Sequence, residues 1–444
     1  MREQIERLTE TLAARDARIA ELEKLVEDSR RSGKRQAAPF SKGDPVEEPK
    51  RPGRRPGRDH GRHGHRAAPV DPIDRELHAP LPACCPDCGG DVVFERDAEQ
   101  FSCELPDARP VVTRFTVGIG RCRSCKKRVQ GRHPEQTSHA LGAAASQIGP
   151  RARGLATWLH YALGLSFAKT SKVLTQLGVP VTAGALSSGA QATGGDLVPV
   201  HTEIVAKLND AAMVVMDETG WRVGGDGAWL WTATTTEATA YNVAEGRGFE
   251  AATQLLFEEY DGTLVRDGWV VYRRYDEAAH QTCIAHLLRR CREMETDLPD
   301  WARGTPREVK DILLAALDAR ELSKRKRRAV AGDLAERIEL LGQGAHPHDA
   351  NRRLVKHLCA EAHALFTFLR DPDIDATNWR GEQAIRPAVV NRKVWGGNRT
   401  WRGAATQGRI MSALRTAVQQ GIDPVDFLVR LARAPDPGAV SLFA

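Results

Sequence analysis

The sequence contains no long apolar run. Its most hydrophobic stretches, such as residues 211–216, fall far short of the roughly 18 consecutive apolar residues that a membrane-spanning helix needs. A signal-peptide pattern is also missing from the start, which is charged and amphipathic. A cytoplasmic protein with no membrane partner is therefore expected. A disulfide framework is disfavoured as well: nine cysteines is an odd number, and four of them form two Cys-x-x-Cys pairs, a pattern suited to metal binding in a reducing compartment. Net charge is modest too, at +6 over 444 residues. That surplus is concentrated, however. Residues 31–66 hold 11 Lys/Arg and 4 Asp/Glu, a local +7, so the rest of the chain is close to neutral. A concentrated basic arm is the footprint expected of a protein that binds nucleic-acid backbone. With 41% hydrophobic residues the chain can bury a sizeable core and form two or three domains.

The patterning divides the chain. In residues 1–30, Ile5, Leu8, Leu12, Ile19, Leu22 and Val26 recur at three- and four-residue spacing, a coiled-coil seam that predicts a homodimer or higher homo-oligomer. Residues 31–79 are poor in apolar side chains and predict a basic disordered arm. Within it the doubled Arg51-Pro-Gly-Arg54-Arg55-Pro-Gly-Arg58 unit offers Arg51, Arg54, Arg55 and Arg58 to a DNA groove. Residues 80–130 carry Cys85-Pro-Asp-Cys88 and Cys122-Arg-Ser-Cys125, which together make the four-thiolate set of one closed, structural Zn²⁺ site. Cys84 and Cys103 are spare, and the alternating Val111, Thr113, Phe115, Val117 and Ile119 predict a strand of a zinc-ribbon-like module. Residues 131–205 read as helical. One helix spans 167–177 and ends at Gly178, and the next is capped by Thr182. A helix-turn-helix DNA-binding region and a simple packed trio both fit this pattern.

From residue 211 the pattern turns to α/β. A buried strand runs into Asp217, strands follow at 228–233 and 239–243, a helix at 249–257, and a strand at 262–266 runs into Asp267. Two strands thus deliver acids at or near their ends. Phosphodiester chemistry needs a strong nucleophile and charge stabilisation on two oxygens, which a pair of Mg²⁺ ions on carboxylates supplies. A third carboxylate, Glu382, stands in Asn378-Trp-Arg-Gly-Glu-Gln-Ala-Ile-Arg-Pro387. There Thr377 or Asn378 can cap a short helix interrupted by Pro387, with Asn378, Glu382 and Arg386 on one face. Glu218, if the strand persists, points to the opposite sheet face from Asp217, while Asp261 and Asp276 are less well placed; sequence alone excludes none of them.

Taken in order, Asp217-Glu-Thr-Gly-Trp, Ala228-Trp-Leu-Trp231, Asp267-Gly-Trp-Val-Val-Tyr272, Cys283-Ile-Ala-His286-Leu-Leu-Arg-Arg290, Glu382-Gln-Ala-Ile-Arg-Pro387, Asn391-Arg-Lys393 and Gly421-Ile-Asp-Pro424 resemble the insertion-sequence transposases of the IS66 family. Trp379-Arg380 departs from the small or amide residues usual there. The resemblance, which covers nearly all of the chain, implies a ribonuclease-H-like catalytic domain at 206–432 with a helical insertion at about 301–370, followed by a tail at 433–444. It implies an Asp-Asp-Glu triad of Asp217, Asp267 and Glu382 holding two Mg²⁺ ions, with Mn²⁺ as a substitute. It further implies active-site support from His286 and Asn378, and DNA-backbone contacts by Arg386, Arg392 and Lys393. The insertion is expected to be helical around Ile312, Leu313, Ala316 and Leu317 and again over 354–369, with a basic cluster at 324–328. The expected activity is cleavage at transposon ends and joining of the 3′ hydroxyls to target DNA. Nucleoid association and accessory proteins from the same element belong to the same expectation. The alternatives from other classes are a catalytically silent DNA-binding regulator and a metal-dependent nuclease without joining activity.

Overall fold

The computed structural model describes residues 73–105, 109–133, 135–136 and 148–443. The heptad segment 1–30 and Arg51, Arg54, Arg55 and Arg58 lie outside the described residues. The chain divides into two compact units, one up to Ala108 and one from Arg109 to Ala444.

In the first unit the described residues are almost entirely exposed, and the Cys85–Cys88 turn is their clearest feature. Gly89, in the left-handed region at φ 71°, donates its N–H to Cys85 O at 2.8 Å, and Cys85 N–H donates to Gly90 O at 2.8 Å. The second unit opens with a matching turn between two short antiparallel strands, β1 (Ile119–Arg121) and β2 (Arg128–Gln130). There Cys122 N–H donates to Lys127 O at 2.9 Å and Lys126 N–H to Cys122 O at 3.0 Å. Of the strand expected over 111–119 only Ile119 is strand, as the first residue of β1. Val111 and Val112 are 94% and 88% exposed, and with no partner strand beside them among the described residues their alternation has nothing to pack against.

Four helices follow: α1 (Pro150–Tyr161), α2 (Phe167–Gln176), α3 (Ala183–Asp196) and α4 (Val198–Asn209). The local chemistry fixes their ends as the sequence predicts. Gly178 adopts φ 80° after α2, and Thr182 Oγ1 accepts Ala185 N–H at 3.2 Å to start α3. Tyr161, Ala190, Leu197, Val200 and Ile204 from these helices enter the same hydrophobic core as the sheet described next.

That sheet has five strands in the order β5-β4-β3-β6-β7. They are β3 (Met213–Val223), β4 (Asp226–Thr234), β5 (Thr239–Ala244), β6 (Thr263–Arg266) and β7 (Ala279–Thr282). The first three form an antiparallel meander, while β6 and β7 run parallel to β3, which makes the architecture mixed α/β. β3 does not end at Asp217. Its ladder with β4 continues to Val223, so Asp217 sits inside the strand and the following Glu-Thr-Gly-Trp is also strand. Between β5 and β6 only α5 (Phe249–Ala252) is helical. The expected helix to residue 257 is cut short because Asn209 captures the chain, donating to Leu255 O at 3.1 Å and accepting Phe257 N–H at 2.6 Å.

After β7 come α6 (Ile284–Asp297), α7 (Gly304–Asp318), α8 (Lys324–Gln343), α9 (Asp349–Glu361) and α10 (Thr367–Arg370). They build a second core from Ile312, Leu313, Ala316, Leu354 and Leu358, into which Val215 and Val265 project from the sheet. The single helix expected over 354–369 breaks after Glu361. There β7 takes over: Gln281 accepts Phe368 N–H at 3.0 Å and donates to Leu365 O at 3.1 Å. The chain closes with α11 (Trp379–Trp395), α12 (Trp401–Gln419) and α13 (Pro424–Arg433). Pro387 lies within α11 and does not interrupt it, and Tyr241 donates its hydroxyl to Ala384 O at 2.6 Å in the turn where the proline removes a donor. Among the described residues no helix is long and apolar enough to cross a membrane.

Candidate active site

Strand register brings the two aspartates together. Val215 pairs with Val265 in the parallel β3–β6 ladder, and continuing two residues along each strand sets Asp217 level with Asp267, just past the end of β6. The alternation that sends Val215 to the insertion side sends Asp217 there too, while Val214 and Met216 face the other core. Each carboxylate is fixed by a backbone donor: Glu218 N–H to Asp217 Oδ1 at 2.9 Å, and Trp269 N–H to Asp267 Oδ1 at 2.8 Å.

Glu382 arrives from α11 because of a glycine. A Cβ on Gly381 would lie 3.2 Å from both Asp217 Cβ and Val215 Cγ1, so the helix rests directly on β3 at the first aspartate. Glu382 is the next residue, half-exposed, with Oε1 3.6 Å from His286 Nε2 and 3.6 Å from Arg289 Nη2. His286 stands in the first turn of α6, immediately after β7, which is how the Cys-x-x-His motif reaches the site. Cys283 is buried and accepts Asn378 N–H on its sulfur at 3.3 Å, tying the start of α6 to the start of α11. Asn378 occupies the N-cap position without capping. It is buried, so it does not share a face with the exposed Glu382 and Arg386. Neither of its amide atoms, nor the buried His286 Nδ1, has a hydrogen-bond partner among the described residues.

The electrostatics single out Asp217. Burial pushes its pKa up to about 8, helped by the charges of Glu218, Asp267 and Glu382 and opposed by the Glu218 amide. The three carboxylates therefore feel one another. Among the described residues, though, no three His, Cys, Asp or Glu side chains are gathered closely enough to hold a metal ion as they stand. Each of the three is turned onto its own local donor instead.

Other predicted residues fall in different roles. Arg386 and Lys393 are exposed on α11, as DNA contacts require. Arg392 points inward, donating to Gly220 O and, at 3.3 Å, to Thr219 Oγ1, so it braces β3. Residues 324–328 open α8 and are largely exposed. In each Cys-x-x-Cys turn local amides lower the thiol pKa: those of Asp87 and Cys88 act on Cys85, and those of Cys125 and Ser124 on Cys122.

Two buried carboxylates outside the expected triad take partners that the sequence did not indicate. Glu218 does face away from Asp217, as alternation requires. It accepts Arg247 Nε at 2.8 Å and Nη2 at 2.5 Å together with the Tyr272 hydroxyl, and Arg247 lies 3.9 Å and 4.7 Å from the ring centroids of Trp269 and Trp229. Glu361 and Arg266 are both 0% exposed and paired. Glu361 also accepts Thr282 Oγ1 at 2.5 Å and Arg273 Nε at 2.6 Å, and Arg266 reaches Asp267 O at 3.1 Å. The signal was present: Glu361 continues the Leu354, Leu358 apolar stripe, where an acid requires a buried partner.

The family model described as "Transposase IS66 family" matches residues 145–406, more than half of the chain and all of the site above. The chain belongs to this family. DNA transposition, DNA as partner and the general use of divalent metals follow from membership in the IS66 transposases. The transposase is also similar to an uncharacterized protein, y4qI, of Sinorhizobium fredii (strain NBRC 101917 / NGR234), at 24% identity over 410 residues, covering 82% of this chain and 72% of that protein.

Proposed function

We propose that this transposase cleaves transposon ends and joins the freed 3′ hydroxyls to target DNA, with Asp217, Asp267 and Glu382 as its catalytic carboxylates on a ribonuclease-H-like fold. The observation that carries this reading is the packing of Gly381 on Asp217 and Val215, which delivers Glu382 beside two aspartates on adjacent parallel strands. The donor set fits two Mg²⁺ ions, or Mn²⁺ in their place, because hard cations take carboxylate oxygens. A carboxyl held near pKa 8 by burial and neighbouring acids is one that a cation would stabilise. When bound, such ions would supply an activated water and offset charge on the attacking and leaving oxygens.

The chain's own residues do the positioning. Backbone amides orient Asp217 and Asp267, whereas Glu382 turns from His286 and Arg289 toward the aspartates. His286 and Arg289 are then free to hold a phosphate oxygen, while the buried side-chain amide of Asn378 is left to an internal water. Arg386 and Lys393 contact backbone outside the site, together with Arg51, Arg54, Arg55 and Arg58 of the basic arm. Cys85, Cys88, Cys122 and Cys125 hold one structural Zn²⁺; the amide-stabilised thiols of both knuckles support this. Residues 1–30 join copies into a homodimer or larger assembly, which works on the nucleoid with accessory proteins of the same element.

The test is strand transfer with duplexes carrying the repeats that flank the gene, in Mg²⁺. Wild-type protein is expected to yield joined products and Asp217→Asn none. Equal joining by the two would sink the assignment, and products that stop at cleavage would leave a nuclease.

A further inference from the structure

A pocket of about 240 Å³ opens beside Asp267, between the end of β6 and the helical insertion. Asp267 and His286 stand on its catalytic side, and Arg290 of α6 and His357 of α9 complete it. The pocket exists because residue 268 is glycine: a Cβ there would lie 2.5 Å from Cε1 and Nε2 of His357, so the imidazole sits against the backbone next to the second aspartate.

Asp267 is the carboxylate that lines this pocket, and it is held by the Trp269 N–H rather than by a cation. Arg290 is half-buried, no carboxylate pairs with it among the described residues, and the like-charged guanidinium of Arg353 acts on it. The charges acting on His357 are Glu361 and the guanidiniums of Arg290, Arg273 and Arg266. Glu361 cannot neutralise Arg290, since one of its oxygens is taken by Arg266 and Thr282 and the other by Arg273. A partly desolvated cation without a counter-ion is costly, and a wall of this kind is stabilised by an incoming anion.

We propose that this pocket is a phosphate subsite, in which Arg290 and His357 hold a DNA phosphate adjacent to the one that reacts at Asp267. The inference rests on the transposase reading above and adds to it a role for the insertion: α9 supplies one wall of the DNA-binding groove. An arginine fork gives two parallel N–H donors to a phosphate, and the histidine adds a third donor from the opposite element. DNA seated there would be registered relative to the carboxylates, which makes Arg290 and His357 positioning residues.

The experiment uses the full chain and a terminal-repeat duplex, with binding followed by fluorescence anisotropy in EDTA. Single phosphates near the end are replaced by neutral methylphosphonates. Arg290→Met is expected to weaken binding roughly tenfold, the scale of one charge-assisted hydrogen-bond pair, with Arg290→Lys recovering much of the loss. One methylphosphonate position should weaken wild type similarly and cost Arg290→Met nothing further. His357→Gln, which breaks no ion pair, should be insensitive at the same position and guards against misfolding of the arginine variant. Losses that multiply at every position, or wild-type binding by both variants, would overturn the subsite. Because no divalent metal is present, failure of the catalytic assignment would leave this result standing, and the reverse.

Discussion

Replacing Asp217 by Asn tests the electrostatic reasoning without any DNA. Burial, reinforced by Glu218, Asp267 and Glu382, raises the Asp217 carboxyl from 3.8 to about 8 in the folded chain. At about 1.4 kcal/mol per unit, its ionised form is disfavoured by on the order of 6 kcal/mol. The sign follows. An acid with a raised folded pKa binds more protons folded than unfolded, so its contribution to stability declines as pH rises from about 4 to about 8 and is level beyond. In metal-free protein, Asp217→Asn should therefore melt higher than wild type at pH 8.5, and the gap should close toward pH 4. A divalent cation binds the ionised form and must displace the proton, so Mg²⁺ affinity should rise about fifty-fold between pH 6 and pH 8 and then level off. Calorimetric titration of Mg²⁺ in two buffers of different ionisation enthalpy should register close to one proton released at pH 7, and none in Asp217→Asn. Metal affinity that is flat across this range, or a metal-free Asp217→Asn protein less stable than wild type at pH 8.5, would refute the account.

Three further outcomes follow from particular contacts. Glu361→Gln leaves Arg266 and Arg273 with an uncharged partner and should cost about 3–5 kcal/mol in urea unfolding at pH 7. The Glu361 pKa is lowered from 4.5 to about 2 although burial opposes the shift, because Arg266 leads the effects that favour the ionised form. Stability worth roughly 3 kcal/mol is thus present above pH 4.5 and lost as pH falls toward 2, so the wild-type and variant curves should converge in acid. Gly381→Ala adds a Cβ 3.2 Å from Asp217 Cβ in a helix that otherwise gains from alanine; melting temperature should change little while strand cleavage drops roughly tenfold or more, because the displaced group is Glu382. Elemental analysis should find one Zn²⁺ per chain, absent from both Cys85→Ser and Cys122→Ser, and retention in either variant would remove the four-thiolate assignment.

Legibility in the sequence followed the range of the interactions. Features fixed within a few residues read correctly: Thr182 caps its helix, Gly178 ends the one before, and alternation puts Glu218 opposite Asp217. Errors arose where a distant residue decides. Asn209 stops the helix after Ala252, Gln281 captures the chain beyond Glu361, and the β4 ladder carries β3 past Asp217. Pro387 misled in the opposite sense, since packing of α11 on the sheet sustains a helix that local rules would end. Of the proposed triad, Asp217 and Asp267 are legible from strand patterns, although β3 runs on past Asp217. Glu382 depended on the family resemblance, because its only local cue was the preceding Gly381, whose meaning needs the third dimension.

The buried acids also show how the proposed catalytic carboxylate differs from its neighbours. Asp217, Glu218 and Glu361 are each largely withdrawn from water, and a buried carboxylate is tolerated when cations and hydrogen-bond donors surround it. Glu361 has two guanidiniums and a hydroxyl, and its pKa falls to about 2. Glu218 has Arg247, itself held between two indoles, and the Tyr272 hydroxyl. Among the described residues Asp217 has one backbone amide and no paired cation, and its pKa rises to about 8; burial raises the Glu218 pKa as well, but there the Tyr272 hydroxyl and Arg247 oppose the rise. Two of these acids are thus neutralised from within the fold and serve to lock β3 to the loop after β5 and β6 to the insertion. The third has its cation deficit on the face shared with Asp267 and Glu382. An internal arginine there would relieve the deficit and raise stability, but on the proposed mechanism it would occupy the place of the divalent ion.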